Sequence, residues 1–296
     1  MFITGASGTC GTALLDLPYK KILFDREKSL LIKENDFFVK GEISDLTLLK
    51  KEMNNCDILI HLAAADYYPD FQMGDGVGSW DIYKKNNIDD LKTLFDLAVD
   101  IGIKKIIFSS THRVMGMYEK ENAPEIYKID SNIIIDHAKP VRPDSIYSVS
   151  KLFGENYGRL LADEGEIKFY VLRICSVRES TMDHPYAYAE YGVNQKKWKR
   201  NSPEYNLQVK RLKSLWQSRR DFSHMVDLCI NSSTVDFDIF YGISNNARAW
   251  FDISNAKNKI GYKPKDNFPK VGTMAWVKWD TQLRERQNSY SQTGGF

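Results

Sequence analysis

The segment Thr4-Gly5-Ala6-Ser7-Gly8-Thr9-Cys10-Gly11 limits what this chain can become more than any other. It follows a short apolar run at residues 1–4 and is predicted to open a helix. A turn there needs positive φ, and its backbone can approach a pyrophosphate only if no Cβ atoms intervene. The helix start would offer free N–H groups and a partial positive charge to the anion. Glycine spacing alone is a weak signal, but its place between a first strand and a first helix makes it specific. Asp25 ends the next predicted strand, about twenty residues past Gly5. A carboxylate at that place accepts hydrogen bonds from both ribose hydroxyls and repels a 2′-phosphate, so NAD is expected over NADP. Arg26 beside it is the one feature that would tolerate the phosphate.

The rest of the first half alternates strands and helices. Strands are predicted at residues 1–4, 21–25, 37–39, 58–62, 105–109 and 169–174, and helices at 44–53, 87–101 and 146–164. In 87–101 Leu91, Leu94, Phe95 and Ala98 recur at the helical period, whereas runs such as 106–108 are apolar throughout, as in strands covered on both faces. Alternation of this kind predicts an α/β fold, a Rossmann-type doubly wound parallel sheet with a small C-terminal substrate lobe. The expected domains are a nucleotide-binding domain with the catalytic helix at 1–175, a lobe at 176–275 interleaved with the last sheet strand, and a tail at 276–296. Beyond Arg173 the pattern breaks. Residues 178–222 are polar and rich in aromatics, and one more strand at 238–242 and a helix from about 252 follow.

Composition bounds the function classes. With 296 residues and a net charge of +2, the chain lacks the basic excess of a dedicated nucleic-acid binder. Cys10, Cys56, Cys175 and Cys229 are scattered without a CxxC pair or a His cluster, so reduced thiols and no metal site are expected. No leader-like segment precedes the glycine loop, and no apolar run is long enough for a membrane span, which predicts a cytoplasmic protein.

Tyr147 and Lys151 lie one helical turn apart on one face. That spacing is near a chance event by itself; its weight comes from following the glycine loop and an apolar strand ending in Ser109-Ser110-Thr111. In these stretches, and in His61-Leu62-Ala63-Ala64, Asn87, Gly116 and Arg219-Arg220-Asp221-Phe222, the chain resembles the extended short-chain dehydrogenase/reductase family, the NAD-dependent epimerases and dehydratases. Arg142-Pro143-Asp144-Ser145-Ile146-Tyr147, Leu172-Arg173-Ile174-Cys175-Ser176, Trp250-Phe251-Asp252 and Gly261-Tyr262-Lys263-Pro264 are similar to the uronate dehydrogenase branch. Archaeal NAD-dependent glucose-6-phosphate dehydrogenases look similar in the same places.

The resemblance implies that Tyr147 is the base, helped toward its anion by Lys151 because a free phenol titrates near pH 10, while Thr111 orients the reacting oxygen. It implies cofactor contacts from Gly5, Ser7, Gly8, Thr9, Cys10, Gly11, Asp25, Arg26, Glu42, Ile43, Leu62, Ala63, Ala64, Asn87, Tyr147, Lys151 and Ile174. Substrate contacts are expected from Asp66, Thr111, His112, Arg113, Ser176 and Arg211. Arg211 falls where uronate dehydrogenases bind the carboxylate, five residues before Trp216, but Asp66, His112 and Arg113 depart from that branch. From Lys196 to Arg220 only Glu204 is acidic, which fits either a solvated basic face or an anion site. Residues 182–200 read as an insertion that would enlarge the pocket, cover it or form a subunit contact. The expected activity is oxidation of the C1 hydroxyl of an anionic aldose, a hexuronate or a sugar 6-phosphate, to its lactone. A nucleotide-sugar 4-epimerase or dehydratase and a non-catalytic NAD-binding regulator are the alternatives. Expected partners are a small anionic sugar and further copies of the chain, a homodimer or higher homo-oligomer paired through helices 87–101 and 146–164, with neither nucleic acid nor membrane.

Overall fold

The computed structural model describes residues 1–65 and 80–267, and in it seven strands form one parallel sheet. They are β1 (Phe2–Thr4), β2 (Ile22–Asp25), β3 (Phe38–Lys40), β4 (Ile58–His61), β5 (Lys105–Thr111), β6 (Lys168–Ile174) and β7 (Phe237–Gly242). Their spatial order is β3-β2-β1-β4-β5-β6-β7. Succession therefore reverses beside β1, and that reversal opens a crevice at the carboxyl ends of the strands, where ligands of such sheets bind. The expected Rossmann-type α/β sheet is the observed one.

Neighbouring residues in a strand face opposite sides, so each apolar strand feeds two cores. Phe2, Leu59, Ile106, Phe108 and Phe169 pack on α2 (Leu46–Met53), α4 (Asp90–Asp100) and α6 (Ile146–Asp163). Ile3, Ile60, Ile107 and Tyr170 pack on α9 (Arg219–Asn231) and α10 (Ser254–Ile260). A third core, with Val114, Tyr127, Leu215, Tyr241 and Trp250, lies beneath the carboxyl edge and joins the lobe to the sheet.

The helix expected after the glycine loop is a single turn, α1 (Thr9–Thr12). The crossover to β2 is short and contains Pro18, which cannot continue a helix. The helix expected at 87–101 begins earlier, with α3 (Trp80–Tyr83), and passes through a π-turn at Lys84–Asp89 into α4. Beyond β6 the chain is more regular than its polarity suggested: α7 (Ala187–Asn194) and α8 (Pro203–Leu215) pack together ahead of α9. Ser202 caps α8 by accepting from the Tyr205 amide, with Pro203 at its first position, and Ser218 caps α9. The remaining helix, α5 (Gly116–Asn122), follows a 3-10 turn at His112–Met115. No described helix is long and apolar enough to cross a membrane. The four cysteines are separate thiols. Asp66 and the tail 276–296 lie outside the described residues.

Candidate active site

Gly5 takes φ +70°, and a Cβ there would sit 2.6 Å from the Ala63 amide nitrogen. The first loop glycine thus meets both the turn and the close approach that such a loop requires. Asp25 holds the loop from the end of β2: its Oδ2 accepts from the Ser7 amide at 2.9 Å and its Oδ1 from the Arg26 amide at 2.7 Å. Ser7 Oγ donates to the Glu27 carbonyl at 2.5 Å.

A cavity of about 820 Å³ opens beside this loop. Of the cofactor residues expected from the sequence, Gly5, Ser7, Gly8, Asp25, Arg26, Glu42, Ile43, Leu62, Ala63 and Ala64 line it. Thr9, Cys10, Gly11, Asn87, Tyr147, Lys151 and Ile174 do not. Unforeseen lining residues are Phe24, Glu27, Gly41, Ala65, Ile82, Tyr83 and Asn86. Several adjoin motif residues and were within reach of sequence reading, but Ile82 and Tyr83 come from α3, which has no motif of its own. Tyr83 links the cavity to the catalytic helix, its ring meeting the Tyr147 ring edge-on at 5.9 Å between centroids.

Tyr147 and Lys151 stand in the first turns of α6. Ser145 caps that helix in a capping box with Ser148, and Asp144 accepts from the Ser148 hydroxyl at 3.0 Å. Lys151 is buried, donates from Nζ to the Ser109 carbonyl at 2.8 Å, and lies 6.0 Å from the Tyr147 ring centroid. Burial lowers the Lys151 ammonium to about 8. Asn87, within the π-turn, accepts from the Ala65 amide at 2.8 Å and donates to Ser150 Oγ at 3.0 Å. It therefore ties the catalytic helix to the loop after β4. A π-turn at such a place is a common device of functional sites. Thr111 closes β5, buried, with Oγ1 accepting from the Arg113 amide at 3.2 Å.

On the lobe side the structure partners several expected substrate residues internally. Arg113 forms a buried ion pair with Asp144 at 2.6 Å. Arg211 grips Glu119 with Nε and Nη2 at 2.7 and 3.0 Å, and Tyr127 donates to the same carboxylate at 2.6 Å. Burial favours the neutral acid at Glu119, but the guanidinium of Arg211 outweighs it and holds the carboxyl below its ordinary range. Two more members of the basic stretch are matched: Arg200 pairs with Glu190 at 2.5 Å, and Arg220 with Asp266. His112 Nδ1 lies 3.1 Å from the Ile174 carbonyl, which can only accept, so Nδ1 carries the proton. Burial, followed by Arg211, lowers the ring to about 4. Its Nε2 is then a buried acceptor with no donor among the described residues. Ser176 bridges to Trp216, its amide donating to the Leu215 carbonyl at 2.9 Å, which brings α8 against the end of β6. Thr111, His112, Ile174 and Ser176 are thus gathered at the carboxyl edge of the sheet. Glu119 and Asp144, the carboxylates that take Arg211 and Arg113, were not anticipated from the sequence.

The family model for the NAD dependent epimerase/dehydratase family matches residues 1–230. The chain is 30% identical over 277 residues to the NAD-dependent glucose-6-phosphate dehydrogenase of Haloferax volcanii, covering 90% of this chain and 93% of that protein. It is 28% identical over 281 residues to the L-arabinose 1-dehydrogenase (NAD(P)(+)) of the same organism, covering 91% and 97%. Among solved structures, a variant uronate dehydrogenase from Agrobacterium tumefaciens complexed with NAD superposes with a TM-score of 0.67 at 21% identity, covering 96% of this chain and 88% of that one.

Proposed function

The chain belongs to the NAD dependent epimerase/dehydratase family, and from that premise we propose that it is an NAD-dependent dehydrogenase oxidising the C1 hydroxyl of an anionic aldose to the lactone. The observation that carries the reading is the buried Lys151, fixed on the Ser109 carbonyl one turn from Tyr147, whose ring meets Tyr83 in the cavity wall. The relative named a 1-dehydrogenase supports C1 as the position, and the relative named for glucose 6-phosphate supports an anionic sugar.

The cavity fits a dinucleotide. Gly5 lets the loop lie against the Leu62–Ala63 backbone of the opposite wall, where a Cβ would collide, and Asp25 presents a carboxylate where a ribose diol belongs. Gly5, Ser7 and Gly8 would take the pyrophosphate side, Asp25 the adenosine ribose, and Leu62, Ala63 and Ala64 the facing wall. NAD, when bound, supplies the hydride acceptor. The chain's own residues supply the proton path and the alignment. Tyr147 Oη removes the proton of the C1 hydroxyl, and the Lys151 ammonium favours the phenolate that does so. The Thr111 hydroxyl positions the reacting oxygen, and the His112 Nε2 lone pair can accept from a sugar hydroxyl. Asn87 keeps the helix bearing the base in register with the cofactor loop.

The test is NADH formation from aldose 6-phosphates, hexuronates and neutral aldoses. Turnover of an anionic aldose with release of a lactone is expected. Activity on neutral sugars alone would remove the anion from the reading. No turnover at all, with tightly held NAD(H) in the purified protein, would favour an epimerase or dehydratase.

Two further outcomes follow from the same geometry. With a half-point of about 8 in the free protein, Lys151 loses its charge as pH rises. The value of kcat/KM for NAD is therefore expected to fall about tenfold per pH unit well above pH 8, provided the ammonium is required. Lys151→Arg, charged throughout, should flatten that limb; an unchanged limb would assign it to another group. Asp25→Ser is expected to raise KM for NAD about tenfold and to admit NADP, because it removes the ribose acceptor and the charge that repels a 2′-phosphate. Unaltered cofactor preference in steady-state kinetics would count against Asp25 as the ribose ligand.

A further inference from the structure

The lobe contains a partly buried cation to which the described residues bring no ion-pairing carboxylate. Three other arginines are matched, Arg211 by Glu119, Arg113 by Asp144 and Arg200 by Glu190. Arg178, four residues beyond the end of β6, has no ion pair among the described residues. Its Nε is shut off from solvent without a hydrogen-bond partner, and its guanidinium lies 5.4 Å from the Tyr188 ring centroid. The main chain at this point is pinned to the glycine loop, because Arg219 Nη1 donates both to the Thr9 carbonyl at 2.8 Å and to the Arg178 carbonyl at 3.4 Å. Arg178 therefore stands at the carboxyl edge of the sheet, between the cofactor loop and α7. Burial, and then the nearby charge of Arg211, lower its guanidinium to about 10, with Tyr188 and Glu179 offsetting them only in part.

A guanidinium whose Nε is shut off from water without a partner is a costly arrangement that a bound anion relieves. Building on the dehydrogenase reading, we propose that Arg178 receives the anionic group of the aldose and that this group is a phosphate monoester at the end of the sugar remote from C1. The choice of phosphate over carboxylate rests on where the free charge is. The position at which the resembling uronate branch binds a carboxylate is Arg211, and here Glu119 already takes its fork in two bonds. A sugar carboxylate would meet a neutralised pair there. A phosphate ester carries its charge further from the ring on a longer arm, bears more than one negative charge, and offers oxygens in the geometry a guanidinium fork binds. Arg178 lies four residues ahead of the 182–200 segment, and Tyr188 of that segment brings its ring to the guanidinium.

The test is calorimetric titration of the protein saturated with NADH, using the 6-phosphates of glucose, galactose and mannose, with glucuronate and glucose as comparators. The wild type is expected to bind at least one phosphate ester more tightly than glucuronate. Arg178→Met, which keeps an apolar stem against Tyr188, should weaken that binding on the order of 100-fold, and Arg178→Lys should recover part of it. Arg178→Met should also melt at or above the wild-type temperature, since it removes a desolvated N–H without a partner, and should leave binding of neutral glucose unchanged. Equal binding by wild type and Arg178→Met, tighter binding of glucuronate, or failure of all three esters to bind would each overturn the proposal. So would a variant that melts well below wild type and loses neutral-sugar binding as well. Binding of a phosphate ester without NADH formation from it would sink the dehydrogenase reading and leave the Arg178 site standing.

Discussion

Tyr147→Phe is expected to lower kcat for aldose oxidation by about 10³-fold or more while leaving NAD affinity within a factor of a few. The range follows from what a positioned general base supplies, roughly 10² to 10⁴. The phenol is the group that takes the proton, and removing one oxygen takes away the acceptor without disturbing packing. The Tyr147 ring would keep its edge contact with Tyr83, and α6 would keep its Ser145 cap. Circular dichroism and melting temperature should therefore match wild type, and NAD titration should report an intact cavity. Lys151→Met is expected to be about as damaging to kcat, but with a difference. It also removes the bond to the Ser109 carbonyl, and with it a hold on the end of β5. A Tyr147→Phe enzyme retaining more than about a tenth of wild-type kcat would remove the phenol from the mechanism. Thr111→Val tests the third member: it keeps the shape and deletes the hydroxyl that accepts from the Arg113 amide.

What the sequence disclosed about this site was whatever depends on near neighbours. The glycine loop, Asp25, the strand ending at Thr111 and the Tyr147/Lys151 turn are each compact signals, and the sheet joins them because parallel strands bring their carboxyl ends to one edge. The apolar runs of β4, β5 and β6 were legible for the same reason: burial on both faces removes polar residues from the run itself. Charge partnership was not legible. Arg211 meets Glu119 across 92 positions, and nothing within a few residues of either signals the other. Arg113 finds Asp144 in the same way. A lone basic residue near a pocket looks identical on paper whether the fold neutralises it, as with Arg211, or leaves it unpaired, as with Arg178. The missed helices are a different case. Ser202-Pro203 and Ser218 carry start signals for α8 and α9, but the polar, aromatic composition around them masked the helical period. The shortness of α1 followed from Pro18, which the glycine motif overshadowed.

The largest effect on stability is expected at a pair that the sequence showed only as scattered residues. Glu155, one turn beyond Lys151, receives Arg173 of β6 through Nε at 3.0 Å and Nη2 at 2.7 Å, with both side chains almost wholly buried. Ser110 Oγ, next to Thr111, donates to the same carboxylate at 2.5 Å, and Arg173 Nη1 donates to the Tyr241 hydroxyl at 3.2 Å. The network therefore joins β5, β6, β7 and the catalytic helix directly behind the reacting groups. Glu155→Gln leaves Arg173 charged and uncompensated in the interior and should cost about 3–5 kcal/mol in denaturant unfolding. The double variant Glu155→Gln/Arg173→Met removes the stranded charge, so it should regain most of that loss. A cost under about 1 kcal/mol for the single variant would mean that water reaches Arg173 and that the pair contributes little. The kinetic consequence differs from the energetic one. The double variant is expected to fold yet to turn over more slowly, because a neutral amide oxygen, no longer oriented by Arg173, would hold Ser110, and with it Thr111, less firmly against the turn that carries Lys151.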